Sequence, residues 1–391
     1  MTIKHLFPKA LPTLNLDFAN SKALDPRITF SRSSSGTYVD SDGLIKTAVT
    51  DAPRFDHDPV TGESLGLLIE ESRTNLLTYS EQFDDGSYIT AAFQAVAPTK
   101  TPNQATAPDG SLTADKIDYP AVSGANTYSL IYRNAVTLSG SHSSSIYLRG
   151  AVGGEKVYLF YIVDGIHSNT LCTLTTEWQR FSVIFTGGTP SYWHLGVDLR
   201  SGSGQVAQSA STIYAWGAQL EAGSFPTSYI PTTSSAVTRA ADLASIEGTN
   251  FSSWYNQSEG TWFTEAKSDD GSNGVFGVGS STNSVGGLNY DFNGFNAQWQ
   301  GSVMDGAFNP VDDSFHKFAF TATRTSNTLT ADGVQNDTGT ATVSFDATEL
   351  GIGVRDAYGP GFGSVYLNGH IARLAYYPTR LPDEQLQTLT S

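Results

Sequence analysis

The chain has 391 residues, a formal net charge of −16 and a charged fraction of only 15%. So acidic a balance argues against nucleic acid as a partner, because phosphate binding needs a basic footprint, and it equally disfavours anionic membrane surfaces. The length admits two or three domains with cores of their own, and 38 glycines beside 12% aromatic residues describe a β-rich chain with many turns.

Cys172 is the single cysteine, so no intramolecular disulfide forms and folding in a reducing compartment is expected. Pro8, Pro12, Asn15 and Asp17 interrupt the first 30 residues, which carry no apolar stretch of signal-peptide length. No run approaches the length of a membrane span, so synthesis in the cytoplasm without membrane insertion is expected.

Residues 1–20 read as an extended arm in which Leu14, Leu16 and Phe18 alternate with polar residues, the pattern of a half-buried strand. Tyr38 lies in a hairpin whose turn is Asp40-Ser41-Asp42-Gly43. From Arg54 to Leu77 comes the stretch around which the chain is organised. Phe55 enters a loop of turn formers (Asp56, Asp58, Pro59, Gly62), and Leu65 to Ile69 then form an apolar run too short for a free helix, a buried strand. Residues 1–75 hold little core, so this segment is expected to lie on a neighbouring subunit or on the next domain.

From residue 76 the rhythm is that of a β-sandwich, clearest at Ser145 to Arg149, Lys156 to Tyr161 and Arg180 to Phe185. Pro231 to Ala236 reads as a small polar linker. After it, strands are expected at Gly260 to Ala266, Phe315 to Ala322, Leu329 to Val334 with its Asp-Gly turn, Leu350 to Gly353 and His370 to Tyr377. Leu381 to Leu389 reads as a helix, with Pro382 and two acids in its first turn. The expected fold is all-β: tandem antiparallel jelly-roll sandwiches at 76–232 and 233–391, an extended N-terminal arm over 1–75 and a short C-terminal helix.

Wording in three places is similar to known families. Ile28 to Arg32, Gly36 to Ile45 and Arg54 to Leu77 resemble an N-terminal module of bacteriophage virion proteins, which carry carbohydrate-binding or laminin-G/concanavalin-like sandwiches behind it. Thr175 to Phe181, and Ile213 to Glu221 before Phe225 to Pro231, resemble carbohydrate-binding-module jelly rolls. The strand order after residue 260 resembles a laminin-G/concanavalin sandwich. These resemblances imply a structural protein on the virion surface, a fibre or decoration of head or tail. Its partners would be capsid or tail proteins, further copies of itself in a trimer, and host glycans. Phe18, Arg32, Tyr38, Arg54, Phe55, Asp56, Asp58 and Arg73 would then belong to the anchoring segment. A polysaccharide-degrading tail enzyme and a purely structural capsid cement protein are the alternatives.

Chemical motifs were weighed against plainer roles. Gly62-Glu63-Ser64-Leu65-Gly66 matches the hydrolase G-x-S-x-G elbow, but a proline turn precedes it and a strand follows, the inverse of what exposes a nucleophile. Glu70 and Glu71 are adjacent and would point to opposite faces of a strand, unlike the paired acids of glycosidases, so no catalytic residue is assigned. The seven histidines show no metal-binding spacing. Asp40-Ser41-Asp42, Asp56-His57-Asp58 and, by resemblance, Asp269-Asp270 offer oxygens to calcium, the one cofactor these acids admit; the first two read more simply as capped turns. Sugar binding is the favoured chemistry, because pyranose rings stack their apolar faces on aromatic rings while amides and acids take the hydroxyls. Its candidates, where rings sit among amides and glycines, are Tyr290, Asp291, Asn293, Phe295 and Trp299, then Tyr192 with Trp193, and Tyr358.

Overall fold

The computed structural model describes residues 8–189, 191–269, 274–280, 283–291, 294–299, 302–305, 314–323, 325–339, 347–355 and 365–391. The fold is all-β, its strands antiparallel, with three short helices among the described residues. None of these helices is long and apolar enough to cross a membrane.

The chain divides into two compact units, and their boundaries differ from three consecutive domains. One unit comprises residues 1–43, 47–72 and 240–391; the other comprises 73–239 with 44–46. The second is therefore inserted into the first. Its incoming strand Arg73–Asn75 pairs with its outgoing strand Val237–Arg239, Arg73 opposite Arg239, so the insertion starts and finishes at one place. Asn75 locks that junction: its amide donates to the carbonyls of Ala218 (3.1 Å) and Ile230 (2.9 Å), and its oxygen accepts from the N–H groups of Leu77 and Leu220, both 3.1 Å.

The discontinuous unit has two large sheets among its described residues. In the first, Gly369–Tyr377 lies between Glu259–Ser268 and Ser64–Ile69, and Leu14–Asp17 also pairs with it. In the second, Leu243–Glu247 lies between Thr29–Ser31 and Glu349–Ile352. Period-2 alternation points Trp262, Phe320 and Tyr376 into one core, the Trp262 ring 4.7 Å from both Phe276 and Tyr376. Leu14, Leu16, Phe18, Leu67 and Ile69 belong to the same core. Leu14–Asp17, Thr29–Ser31, Phe55–His57 and Ser64–Ile69 thus complete the sheets of this unit. Close packing fixes Gly66, whose φ is +90° and where a Cβ would stand 2.2 Å from the Ile371 carbonyl oxygen. The C-terminal helix runs Asp383–Thr390, and its buried Leu386 packs with Phe263, Ala319 and Tyr377.

Below the N-terminal strands lies a buried ionic cluster. Asp242 accepts from Arg32 Nη1 at 2.9 Å, from Arg54 Nη2 and from the Glu70 N–H at 3.0 Å, while Arg54 Nη1 meets Glu70 Oε2 at 2.6 Å. Two guanidinium groups thus face two carboxylates with side chains 0–4% exposed. Burial lowers the Arg32 pKa, and Asp242 partly restores it; in Arg54 the charges of Asp242 and Glu70 more than offset the same burial.

A second buried pair joins His370 Nε2 to Asp56 Oδ2 at 2.8 Å. Burial pulls the His370 pKa down, but the hydrogen bond and charge of Asp56 outweigh it, and the net shift is upward. A raised histidine pKa contributes stability that is complete below the unfolded value, about 6.5, and lost as pH rises through the folded value. Urea denaturation from pH 5 to 9 is expected to show that loss in the wild type and a flatter profile in Asp56→Asn.

Candidate functional site

The inserted unit packs two five-stranded sheets. One runs in the order Gln179–Thr186, Ser141–Gly150, Ser211–Ala222, Ala114–Tyr119, Thr99–Ala105; the other runs Ile166–Thr173, Lys156–Val163, Ser191–Asp198, Tyr128–Val136, Ile89–Phe93. From the second sheet Ile131, Leu159, Tyr161, Trp193 and Leu195 point into the core between them. Their neighbours along each strand point to the opposite face, and there the register assembles an aromatic platform.

Tyr132 stands opposite His194, His194 opposite Phe160, and Phe160 opposite Asn169, one row across four strands. A second row is Tyr192, Ile162 and His167. Phe160 and His194 stack at 4.5 Å with planes 6° apart, and Tyr132, Tyr192 and His167 lie 6.0–6.2 Å from one or the other. Phe160 and His194 are buried, Tyr132, Tyr192, Ile162 and His167 are half-buried, and Asn169 is exposed. The platform thus has a packed floor and a rim of rings, one amide and one imidazole.

Burial pushes His194 down to about 3, so it stays neutral and serves as a flat plate; burial also lowers His167. One border is built by residues 198–206. Asp198 holds Arg200 at 2.6 Å, its N–H bonds Gln205 Oε1 at 2.8 Å, and Asn169 Nδ2 reaches the Ser203 carbonyl at 3.0 Å. Three buried polar atoms around this face have no hydrogen-bond partner: His194 Nδ1, His167 Nδ1 and Gln205 Nε2. Half-exposed rings beside spare polar groups suit a molecule with an apolar face and many hydroxyls. Among the described residues no group of three or more His, Cys, Asp or Glu side chains is placed to hold a metal ion.

Of the residues singled out from sequence, Tyr192 lies on this platform. Trp193 does not: it is 1% exposed on the inward face, its Nε1 donating to Ser144 Oγ at 3.1 Å, because neighbours along a strand take opposite sides. Tyr290 and Asp291 fall on strand Asn283–Asp291 and Phe295 and Trp299 on Gly294–Trp299, with Tyr290 opposite Phe295, where loops were expected. The side chains of those four residues, and Asn293, Tyr358 and Asp270 entirely, lie outside the described residues.

The expected anchoring residues turn inward. Phe18 is core, and Arg32 and Arg54 are enclosed in the ionic cluster. Arg73 bonds the Ala222 carbonyl and stacks 4.6 Å over Phe225. Asp56 accepts from the Val39 N–H at 2.5 Å as well as from His370, and Asp58 caps its turn through the N–H groups of Val60 (2.8 Å) and Thr61 (2.7 Å). Phe55 packs on the core and Tyr38 is half-buried. These contacts of Phe18, Arg32, Arg54, Phe55, Asp56, Asp58 and Arg73 are made within the chain's own fold. Ser64, likewise, opens a strand with its hydroxyl buried.

Sequence reasoning missed Tyr132, Phe160, Ile162, His167 and Asn169. The available signal was Val157 to Val163, apolar at every position and hence a strand covered on both faces.

Fold and site together define an all-β sandwich protein of two units, one carrying an aromatic platform on a sheet face. No protein-family model and no curated protein matches the chain. Among solved structures it is similar to a carbohydrate-binding module (CBM40) of the Ruminococcus gnavus IT-sialidase bound to α2,6-sialyllactose, with 15% identity and a TM-score of 0.32 over 36% of this chain and 88% of that one. It is also similar to domain 4 of AbnA, an arabinanase from Geobacillus stearothermophilus, in complex with arabinotriose (13% identity, TM-score 0.30, 42% of this chain and 82% of that one). A third is the Trypanosoma rangeli sialidase with the inhibitor DANA (11%, TM-score 0.30, 75% and 68%).

Proposed function

We propose that this is a glycan-binding protein which holds its ligand without cleaving it, and that the aromatic platform of the inserted unit is the site. The observation that carries this reading is the row Tyr132–His194–Phe160–Asn169 beside Tyr192–Ile162–His167, a ring-lined face with a polar rim. A sugar would lie over Tyr132 and Tyr192, with Asn169 and His167 at its hydroxyls. Each such contact is weak, so display in many copies would supply avidity.

A virion surface, as fibre or decoration in a trimer, is the setting we propose, supported by the wording of Ile28 to Leu77. Immunogold labelling of intact particles tests it; gold on the particle supports the setting and unlabelled particles overturn it.

The binding reading is tested on a glycan array. Wild-type protein is expected to mark a defined subset of glycans, and Tyr132→Ala and Tyr192→Ala each to weaken the strongest signal about 5- to 12-fold, as loss of a ring contact of about 1–1.5 kcal/mol requires. Release of reducing ends from a bound polysaccharide would replace this reading with a hydrolase.

A further inference from the structure

The inserted unit has a second concavity, separate from the platform and on the inner side of the same sheet. A pocket of about 390 Å3 lies between the two sheets, with Leu220 from one side and Tyr161 and Trp193 from the other, Leu77 and Leu138 closing it, Leu76 at its rim and Asn134 on its polar wall. Its polar wall is fixed in place. Arg133 donates to the Thr78 carbonyl at 3.2 Å and Thr78 Oγ1 at 2.9 Å, bonds Ser87 Oγ, and lies 4.6 Å over the Tyr88 ring.

Tyr161 is the informative residue. Its ring is clamped on Phe185 at 3.9 Å, and its hydroxyl, buried beside this wall within electrostatic reach of Arg133 and Tyr88, has a weak hydrogen-bonding interaction with Ser144 that falls short of normal geometry. A hydroxyl in that position is costly unless something entering the pocket satisfies it. The volume is that of a small-ligand site, and the lining is apolar apart from a few converging polar groups.

We propose that this pocket binds a small aromatic molecule carrying one hydrogen-bonding substituent, the ring against Trp193 and the leucines and the substituent on the Tyr161 hydroxyl. The site is independent of the glycan platform, since the two occupy opposite faces of the sheet.

Titration of the full chain with phenol and with benzene, followed by ligand-observed NMR, tests this. Both are expected to saturate, phenol about 10-fold more tightly, the worth of one buried hydrogen bond. Tyr161→Phe keeps the ring and is expected to equalise the two. Leu76→Trp, at a rim position 40% exposed, is expected to abolish both, and Tyr192→Ala to change neither. Absence of saturable binding by either probe, or a phenol preference that survives Tyr161→Phe, would overturn the proposal.

Discussion

Asp242→Asn is expected to cost about 3–5 kcal/mol of stability, the largest effect of any single conservative change outside the hydrophobic cores. The size of the asparagine is right; its charge is not. Arg32 and Arg54 would remain, each with its guanidinium enclosed, and would lose the carboxylate that both bind. A buried charge without a counterpart is expensive, even where the intact pair is worth little against an apolar replacement. The exposed pair Arg27–Asp25, 2.8 Å apart with side chains 29% and 22% exposed, is the control, and Arg27→Ala should cost at most about 1 kcal/mol. Since domains are stable by only about 5–15 kcal/mol, the first change should shift the urea midpoint visibly and the second barely. Equal effects would mean that the cluster is solvated and the burial argument wrong. The cluster also explains why the N-terminal segment cannot be an independent module: Arg32 and Arg54 come from it, and Asp242 comes from beyond the insertion.

Trp193→Ala should be the second large effect, about 3–5 kcal/mol, as expected for emptying a buried tryptophan site. Its neighbour Tyr192→Ala should leave stability within about 1 kcal/mol and act on binding instead. The pair separates the two faces of one strand with two adjacent substitutions. Thermal unfolding supplies one axis and glycan binding the other. A stable Trp193→Ala protein that had lost glycan binding would reverse the assignment of faces.

Much of the fold was legible because it is written in short-range patterns. Alternation at Gly260 to Ala266 marks the strand Glu259–Ser268, and Asp332-Gly333 marks a hairpin whose two turn residues have φ of 43° and 77°. Pro382 followed by Asp383 and Glu384 marks the final helix. What local pattern cannot carry is which distant strands pair. Leu14 opposite Tyr376 and Ile69 opposite Gly369 join residues some 300 positions apart, and nothing in either segment names its partner. The platform was hidden for the same reason: Tyr132, His194 and Phe160 are ordinary strand residues until register lines them up. Composition favoured loops rich in glycine and amides as binding surfaces, whereas the platform arises from a strand face.

The central claim, that the outer face of this sheet is where a sugar rests, is tested most directly by 19F NMR on fluorotyrosine-labelled protein titrated with the strongest array glycan. The account predicts saturable shifts at Tyr132 and Tyr192, with the buried Tyr161 and Tyr88 unmoved. Saturable binding that leaves Tyr132 and Tyr192 unshifted would contradict it.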